Sequence, residues 1–325
     1  MTKEITVLGG GVAGLCVATE LVERGCDVTV IDPEFGPGDH GCSWWAGGML
    51  APDCEGETAE EPVVRYGRQA AEWWQKSGAE VTFKGSLVVA LDRDRRELDR
   101  FARRTERHQM LSSAGVSALE PLLGNRCDRA LHMVQEAHLD PRKALLHLKE
   151  QLLANGATFA AEGEPTGQVV DCRGLAAADD LQDLRGVKGE MVILRAPDIT
   201  LNRPVRLLHP RFPLYIVPRG EGVFMLGATQ IESEDRDRAT VRSVVELLNA
   251  AYALHPSFGE AEILEIGVDA RPAFPDNLPR VTRANDRLYV NGLFRHGYLM
   301  APALAQMVGD YLQKGEIPEL WKDET

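Results

Sequence analysis

The stretch Gly9-Gly10-Gly11-Val12-Ala13-Gly14 decides the fold of this chain. Ile5 to Leu8, just before it, reads as a short buried strand. The apolar-periodic stretch from Val12 to Arg24 reads as a helix that stops at Gly25. Asp27 to Ile31 is a second strand, closed by Asp32. Strand, glycine turn, helix and strand form a Rossmann-type unit, which requires a parallel sheet. Gly9 permits the tight turn, Gly11 lets the backbone approach a pyrophosphate, and Gly14 lets helix and strand pack closely. The helix start at Val12 and Ala13 offers N–H groups and a positive dipole end to phosphates, and Asp32 is placed to accept from an adenosine ribose. The same spacing recurs at Gly36-Pro37-Gly38-Asp39-His40-Gly41. That second stretch carries a proline and runs into Cys42-Ser43-Trp44-Trp45 rather than a helix, so it is not expected to bind a nucleotide.

The bulk numbers narrow the function classes. The 325 residues suffice for one large or two medium cores, and 44% apolar with 26% charged residues is the balance of a soluble globular protein. Lys plus Arg number 36 against 49 Asp plus Glu, a net charge of −13. That argues against nucleic acid or an anionic membrane as partner, and it makes local arginines the means of holding an anionic substrate. Six scattered cysteines form no Cys-x-x-Cys pair, which speaks for reduced thiols and against a disulfide reductase. No metal site is expected. With no apolar run of about 18 residues and no signal-peptide layout, a cytoplasmic location is expected.

Outward from the fingerprint, residues 36–61 read as loop near the nucleotide, and a helix follows with Trp73 and Trp74 as core or interface residues. Residues 80–90 read as strand, Arg93 to Ser112 as a charged helix, and Pro141 to Asn155 as a helix. Gln168 to Asp171 is an apolar strand leading into Arg173 and Gly174. Strand patterns dominate from Gly189 to Leu226, a helix spans Arg238 to Leu254, strands return near Ile263 and Leu288, and a last helix runs from Met300 to Gln313. The expected fold is α/β, a Rossmann-type nucleotide domain with an inserted, antiparallel-sheet-rich α+β substrate domain. The nucleotide domain takes residues 1–78, 136–186 and 268–325; the substrate domain takes 79–135 and 187–267. FAD is favoured over NAD by the early fingerprint and by the late strand ending at Gly174, which resembles the second nucleotide-contacting strand of many flavoproteins. No second credible fingerprint follows, so the flavin is expected to be reduced by the substrate itself.

Further motifs resemble the D-amino-acid oxidase superfamily, and within it the glycine oxidases of thiamine biosynthesis. Ser43 to Pro52, containing Gly48-Met49-Leu50, is similar to the family's Ser-x-Ala-Ala-Gly-Met-Leu segment. Leu139-Asp140-Pro141-Arg142, Lys188-Gly189-Glu190, Tyr215 to Gly220 and Leu226-Gly227-Ala228-Thr229 follow in the family's order. Arg271-Pro272 with Pro275 to Pro279, and Gly292 to Pro302, complete the resemblance over nearly the whole chain. Departures are Asp269-Ala270 where Gly-Leu is common, Gln230 where Met is common, and Trp44-Trp45 where small residues are usual.

The resemblance implies an FAD-dependent oxidase that moves a hydride from the α-carbon of a small amino acid, glycine first, to flavin N5. The products are an imino acid and, with O2 as acceptor, H2O2. It puts the substrate carboxylate on Arg271 and the Tyr215 hydroxyl, with Arg295 near the pocket. It lays Ser43, Gly48, Met49, Leu50, Gly174 and Arg295 along the cofactor. Gly297, Tyr298 and Leu299 would open the last helix toward the flavin's pyrimidine end, with Pro302 in its first turn. No cysteine follows Cys172, so the FAD is expected to be non-covalent. His296 and His209 read as loop or packing residues, and no general base stands out. A homo-oligomer accords with the family's habit. Alternatives are an oxidase or dehydrogenase of an N-substituted glycine (sarcosine, iminodiacetate) or a D-amino acid, and a non-catalytic flavin-binding subunit.

Overall fold

The computed structural model describes residues 3–209 and 213–323. Strand β1 (Glu4–Leu8), helix α1 (Val12–Glu23) and strand β2 (Asp27–Ile31) form the expected unit, with β1 and β2 parallel and in register from Glu4–Asp27 to Leu8–Ile31. They belong to a seven-stranded sheet ordered 321–323, 280–284, 287–291, 168–171, β1, β2, 158–160. Only the hairpin Arg280–Ala284 with Arg287–Asn291 is antiparallel in it. Apart from Glu4, β1 is buried throughout, as a strand flanked by others on both sides and covered by helix must be. Against it lies α1, which in turn packs on the helices Pro141–Ala154 and Gly297–Lys314.

A second, nine-stranded sheet is antiparallel except where Ser86–Ala90 runs parallel to Val205–Leu208. Its long strands Arg185–Arg195 and Glu262–Ala273 pair along their full length, with Val187 opposite Arg271, Gly189 opposite Asp269 and Met191 opposite Gly267. A small sheet of Met49–Leu50, Ala137–Leu139 and Val81–Thr82 completes the strand framework. The architecture is therefore α/β with a Rossmann-type sheet and an antiparallel-rich sheet built largely from the middle of the chain. Among the described residues no helix is long and apolar enough to cross a membrane.

Three stretches depart from the sequence expectation, the first being residues 36–61, read as loop, which hold the strand Met49–Leu50 and the short helix Pro52–Glu55. The charged helix ends at Arg104, and His108–Ser112 is a strand on the edge of the nine-stranded sheet, paired with Arg129–Met133. Arg107, at φ +58°, turns the chain between them, and tertiary pairing overrides the helical propensity of His108–Ser112. The last helix begins at Gly297, three residues earlier than expected, so Pro302 falls in its second turn rather than its first. A proline there leaves the carbonyl of Tyr298, four residues back, without its helical donor. The indole N–H of Trp74 donates to that carbonyl at 2.8 Å, and its ring stacks on Tyr298 at 5.4 Å between centroids. Trp74 is fully buried and Trp73 nearly so, meeting it edge-on at 5.2 Å, which makes the tryptophan pair core rather than surface.

Trp74→Phe strands the Tyr298 carbonyl and should lower stability by about 1–3 kcal/mol, read from denaturant midpoints. The double variant Trp74→Phe/Pro302→Ala restores a backbone donor and should recover part of that loss. Strictly additive effects would show that the carbonyl is not what Trp74 satisfies.

Candidate functional site

A cavity of about 570 Å³ runs from the glycine turn to the nine-stranded sheet, within the range of sites that hold cofactors and small ligands. At one end the fingerprint glycines are sterically obligatory. Gly9 adopts φ +97°, and a Cβ on Gly14 would stand 1.9 Å from the Gly9 carbonyl oxygen. Gly10 lies so close to Gly36 that a Cβ would be 2.5 Å from its Cα. Gly11 is different: a Cβ would meet only Ser43 Oγ, at 3.3 Å, because its open side faces the cavity. Ser43 Oγ accepts from the Val12 N–H at 3.1 Å. The Asp32 carboxylate accepts from the N–H groups of Gly10 (2.6 Å), Glu34 (3.0 Å) and Gly36 (3.2 Å). With about four lone-pair sites, it keeps one acceptor position toward the cavity it lines.

Gly9, Gly11, Val12, Ala13, Asp32 and Ser43 line this end of the cavity, and Gly48, Met49, Gly174, Gly297, Tyr298 and Leu299 continue its wall. Gly14 and Leu50 do not. Gly14 packs beneath the turn, and Leu50 is 1% exposed in the core. The stretch Gly36–Gly41, set aside as a nucleotide motif, lines the same cavity through Gly36, Pro37, Gly38, His40 and Gly41. It does so as loop, and the fit of Gly36 against Gly10 holds it there. The segment Ala46–Gly48 is held by the Arg219 guanidinium, which donates to the carbonyls of Ala46 (3.2 Å), Gly47 (2.9 Å) and Leu139 (2.8 Å). Burial pushes the pKa of Arg219 down to about 10.

At the other end stand Tyr215, Arg271 and Arg295. The Arg271 guanidinium lies across Gly189, where a Cβ would be 2.1 Å from Nη2, and donates to the Thr229 carbonyl at 3.2 Å. Burial pushes its pKa down. The other arginines of the wall have carboxylates: Arg173 has Asp171, Arg236 has Asp269, and Arg206 and Arg295 share Glu55 at 2.7 and 2.8 Å. Among the described residues Arg271 has no such ion pair. An enclosed cation without a counter-ion is costly unless an anion completes it.

Sequence reasoning did not single out Glu55, Arg206 or Arg236. Glu55 closes helix α2 (Pro52–Glu55); burial alone would raise its pKa, yet Arg295, Arg206 and His296 hold it well below the usual carboxylate range. His296, 5% exposed with Nδ1 3.5 Å from Glu55, is pushed by burial down to about 4 and is neutral at pH 7. One signal was available for Arg206, a charge inside the otherwise apolar strand Val205–Leu208. The unusual Asp269 is accounted for by Arg236, which pairs with it at 2.5 Å and donates to the His40 carbonyl at 2.6 Å, tying strand to loop.

Helix α2 is held in place by Glu136, which accepts the Cys54 N–H at 2.7 Å and the Ser86 hydroxyl. Burial raises the Glu136 pKa to about 7, above its ordinary 4.5. The stabilisation from its proton is therefore complete below about pH 4.5 and is lost as the pH rises through 7. Glu136→Gln keeps a neutral partner for both groups. The melting temperature of the unaltered protein should fall relative to this variant between about pH 5 and 8; parallel curves would refute the assignment. A second expectation concerns the glycine turn. Gly14→Ala should abolish co-purification of flavin, because a methyl group cannot occupy the space of the Gly9 carbonyl.

The features on one wall (obligatory glycines, a helix N-terminus and an acidic strand end) suit FAD, whose pyrophosphate needs close backbone approach and N–H donors. The sequence profile of the FAD dependent oxidoreductase family, DAO, matches residues 4–311. A Rhizobium etli protein named as a thiamine biosynthesis oxidoreductase, ThiO, is 52% identical over 307 residues, spanning 93% of this chain and 94% of its own. The glycine oxidase of Pseudomonas putida is 26% identical over 362 residues, covering 97% and 96%. The glycine oxidase structure from Geobacillus kaustophilus superposes with a TM-score of 0.80 at 23% identity, over 97% of this chain and 96% of that one. The iminodiacetate oxidase structure from Chelativorans sp. BNC1 does so with 0.81 at 22%, over 99% and 100%. At these identities the two structures speak for the fold alone. Fold, glycine cradle and family profile agree, and the chain belongs to the DAO family of FAD-dependent oxidoreductases.

Proposed function

We propose that this protein oxidises the amine of glycine to an imino acid, with non-covalent FAD and with O2 as the final acceptor, in thiamine thiazole biosynthesis. One observation carries the substrate assignment: Arg271 is a cavity-lining guanidinium with no carboxylate of its own among the described residues, beside Tyr215. The place in thiamine biosynthesis rests on the name of the Rhizobium etli relative. When bound, FAD supplies the two-electron acceptor for the substrate's α-C–H bond and passes the electrons to O2.

The chain's own residues hold and orient the substrate. Arg271 would grip the carboxylate bidentately, and the Tyr215 hydroxyl would donate a further hydrogen bond. That fixes the α-carbon, so binding energy becomes orientation. Arg295, drawn to Glu55, offers a second guanidinium edge to the cavity. The neutral amine needs no side-chain base, and the neutral His296 next to Glu55 adds no charge there. The positive end of the 18-residue helix Gly297–Lys314 points toward the cavity at Gly297, Tyr298 and Leu299, where it favours developing negative charge.

The remaining proposals stand on the sequence reading: a cytoplasmic location, homo-oligomeric assembly, and the division into a nucleotide part (1–78, 136–186, 268–325) and a substrate part (79–135, 187–267). Sheet membership supports the division, with strand Glu262–Ala273 straddling its last boundary.

Anaerobic mixing with glycine should bleach the flavin, and readmitted air should yield peroxide. A flavin bleached only by a secondary amine such as sarcosine would move the substrate assignment, and one that no amine bleaches would sink it. Arg271→Ala should lower kcat/KM for glycine by at least about 30-fold, chiefly through KM. Arg271→Lys should not restore it, since an ammonium lacks the fork geometry.

A further inference from the structure

The tryptophan pair at 44–45, where the resembled family carries small residues, has no part in the chemistry above. Both side chains line the cavity. Trp45 is fixed from several sides. Its indole N–H donates to the Asp39 carbonyl at 2.9 Å. The Arg142 guanidinium lies 5.0 Å from the ring centroids of Trp44 and Trp45, and is itself held bidentately by Glu265 at 2.9 and 2.8 Å. The ring is seated on Gly267, where a Cβ would be 2.2 Å from its Cε3 and 2.8 Å from Met191 Sδ.

Strand register then relates Trp45 to Arg271. Directly opposed residues of an antiparallel pair share a face, and so do residues two apart along a strand. Arg271 therefore shares its face with the pair Gly189–Asp269 and the pair Met191–Gly267. Its guanidinium reaches back over Gly189, while the Trp45 indole covers Gly267. Those two pairs are neighbours, about 7 Å apart along the strand. Trp45 also packs, together with Tyr215, on the cluster of Met191, Ile193 and Met225. An indole thus stands next to the carboxylate anchor, on a surface where two glycines leave room for nothing but the indole and the guanidinium.

We propose that Trp45 is the specificity-determining residue of this site: it closes the space beside Arg271, so that a bare two-carbon amino acid fits and a substituted one is excluded. This rests on reading the cavity as the site of a small amino acid. The clamp from Arg142 and Asp39 makes the exclusion effective, because a freely rotating indole would swing aside for a larger substrate.

The test uses the FAD-loaded protein and two readouts. The first is the dissociation constants of acetate, propionate and butyrate, which lack an amine, measured from the perturbation of the flavin absorption spectrum. The unaltered protein should bind acetate in preference to butyrate. Trp45→Ala should shift the butyrate-to-acetate affinity ratio by about tenfold or more in favour of butyrate, the worth of two buried methylenes. The second is the kcat/KM ratio of D-alanine to glycine, which should rise with it. Trp45→Phe, which keeps an aromatic ring on Gly267, should shift both ratios in the same direction by less, and it serves if the alanine variant does not fold. Unchanged ratios in the folded variants overturn the proposal. Failure of glycine to bleach the unaltered protein would instead overturn the substrate reading, since the carboxylate series measures the steric limit without any turnover.

Discussion

The architecture depends on a single close approach, the carbonyl of Gly9 lying where a side chain of residue 14 would begin. That contact seats α1 against the turn and aims its N-terminus along the cavity. With α1 so placed, the C-terminal helix packs across it, and its own first residues reach the cavity further along. Two helix starts converge on one space, each presenting the positive end of a dipole. Asp32 stabilises the arrangement from outside, accepting N–H groups from the turn and from the loop after β2 together.

Electrostatics divides the far end of the cavity in two. Around Glu55 each guanidinium has a carboxylate to pair with: Arg206 and Arg295 surround it, and Glu136 holds the short helix that carries it. Around Arg271 they are not, and the guanidinium faces the cavity with one carbonyl as partner. Burying a group this way costs stability that the completed complex recovers. Among the arginines that line the cavity, Arg271 alone lacks an ion pair within the described residues.

Much of this was legible in the sequence, and the part that was not has a common cause. The fingerprint unit is local, so strand, turn, helix and strand could be read in sequence order; Tyr215, Arg271 and Arg295, named from motifs, line one cavity. The partners of Glu55 lie 151 and 240 residues away, and Arg236 meets Asp269 across 33 residues. No periodicity encodes such pairs. The same holds for His108–Ser112, whose strand conformation comes from its pairing with Arg129–Met133 rather than from its own propensity. Pro302 was misplaced for the opposite reason: the local rule for helix starts was sound, but a tryptophan over two hundred residues away removed the penalty that enforces it.

The Arg219 guanidinium, bound to the carbonyls of Ala46, Gly47 and Leu139, has a consequence for substitution in the cavity loop. It grips the cavity loop by main-chain atoms, which every amino acid supplies alike. The anchorage itself asks nothing of the side chains at Trp44, Trp45 or Ala46, whereas Gly47 and Gly48 are required by their close approach to Tyr215 and to the Leu139 carbonyl. A change of side chain at Trp44 or Trp45 leaves these three hydrogen bonds in place. The side chains that shape the cavity and the main-chain atoms that moor its loop are thus different atoms of one segment.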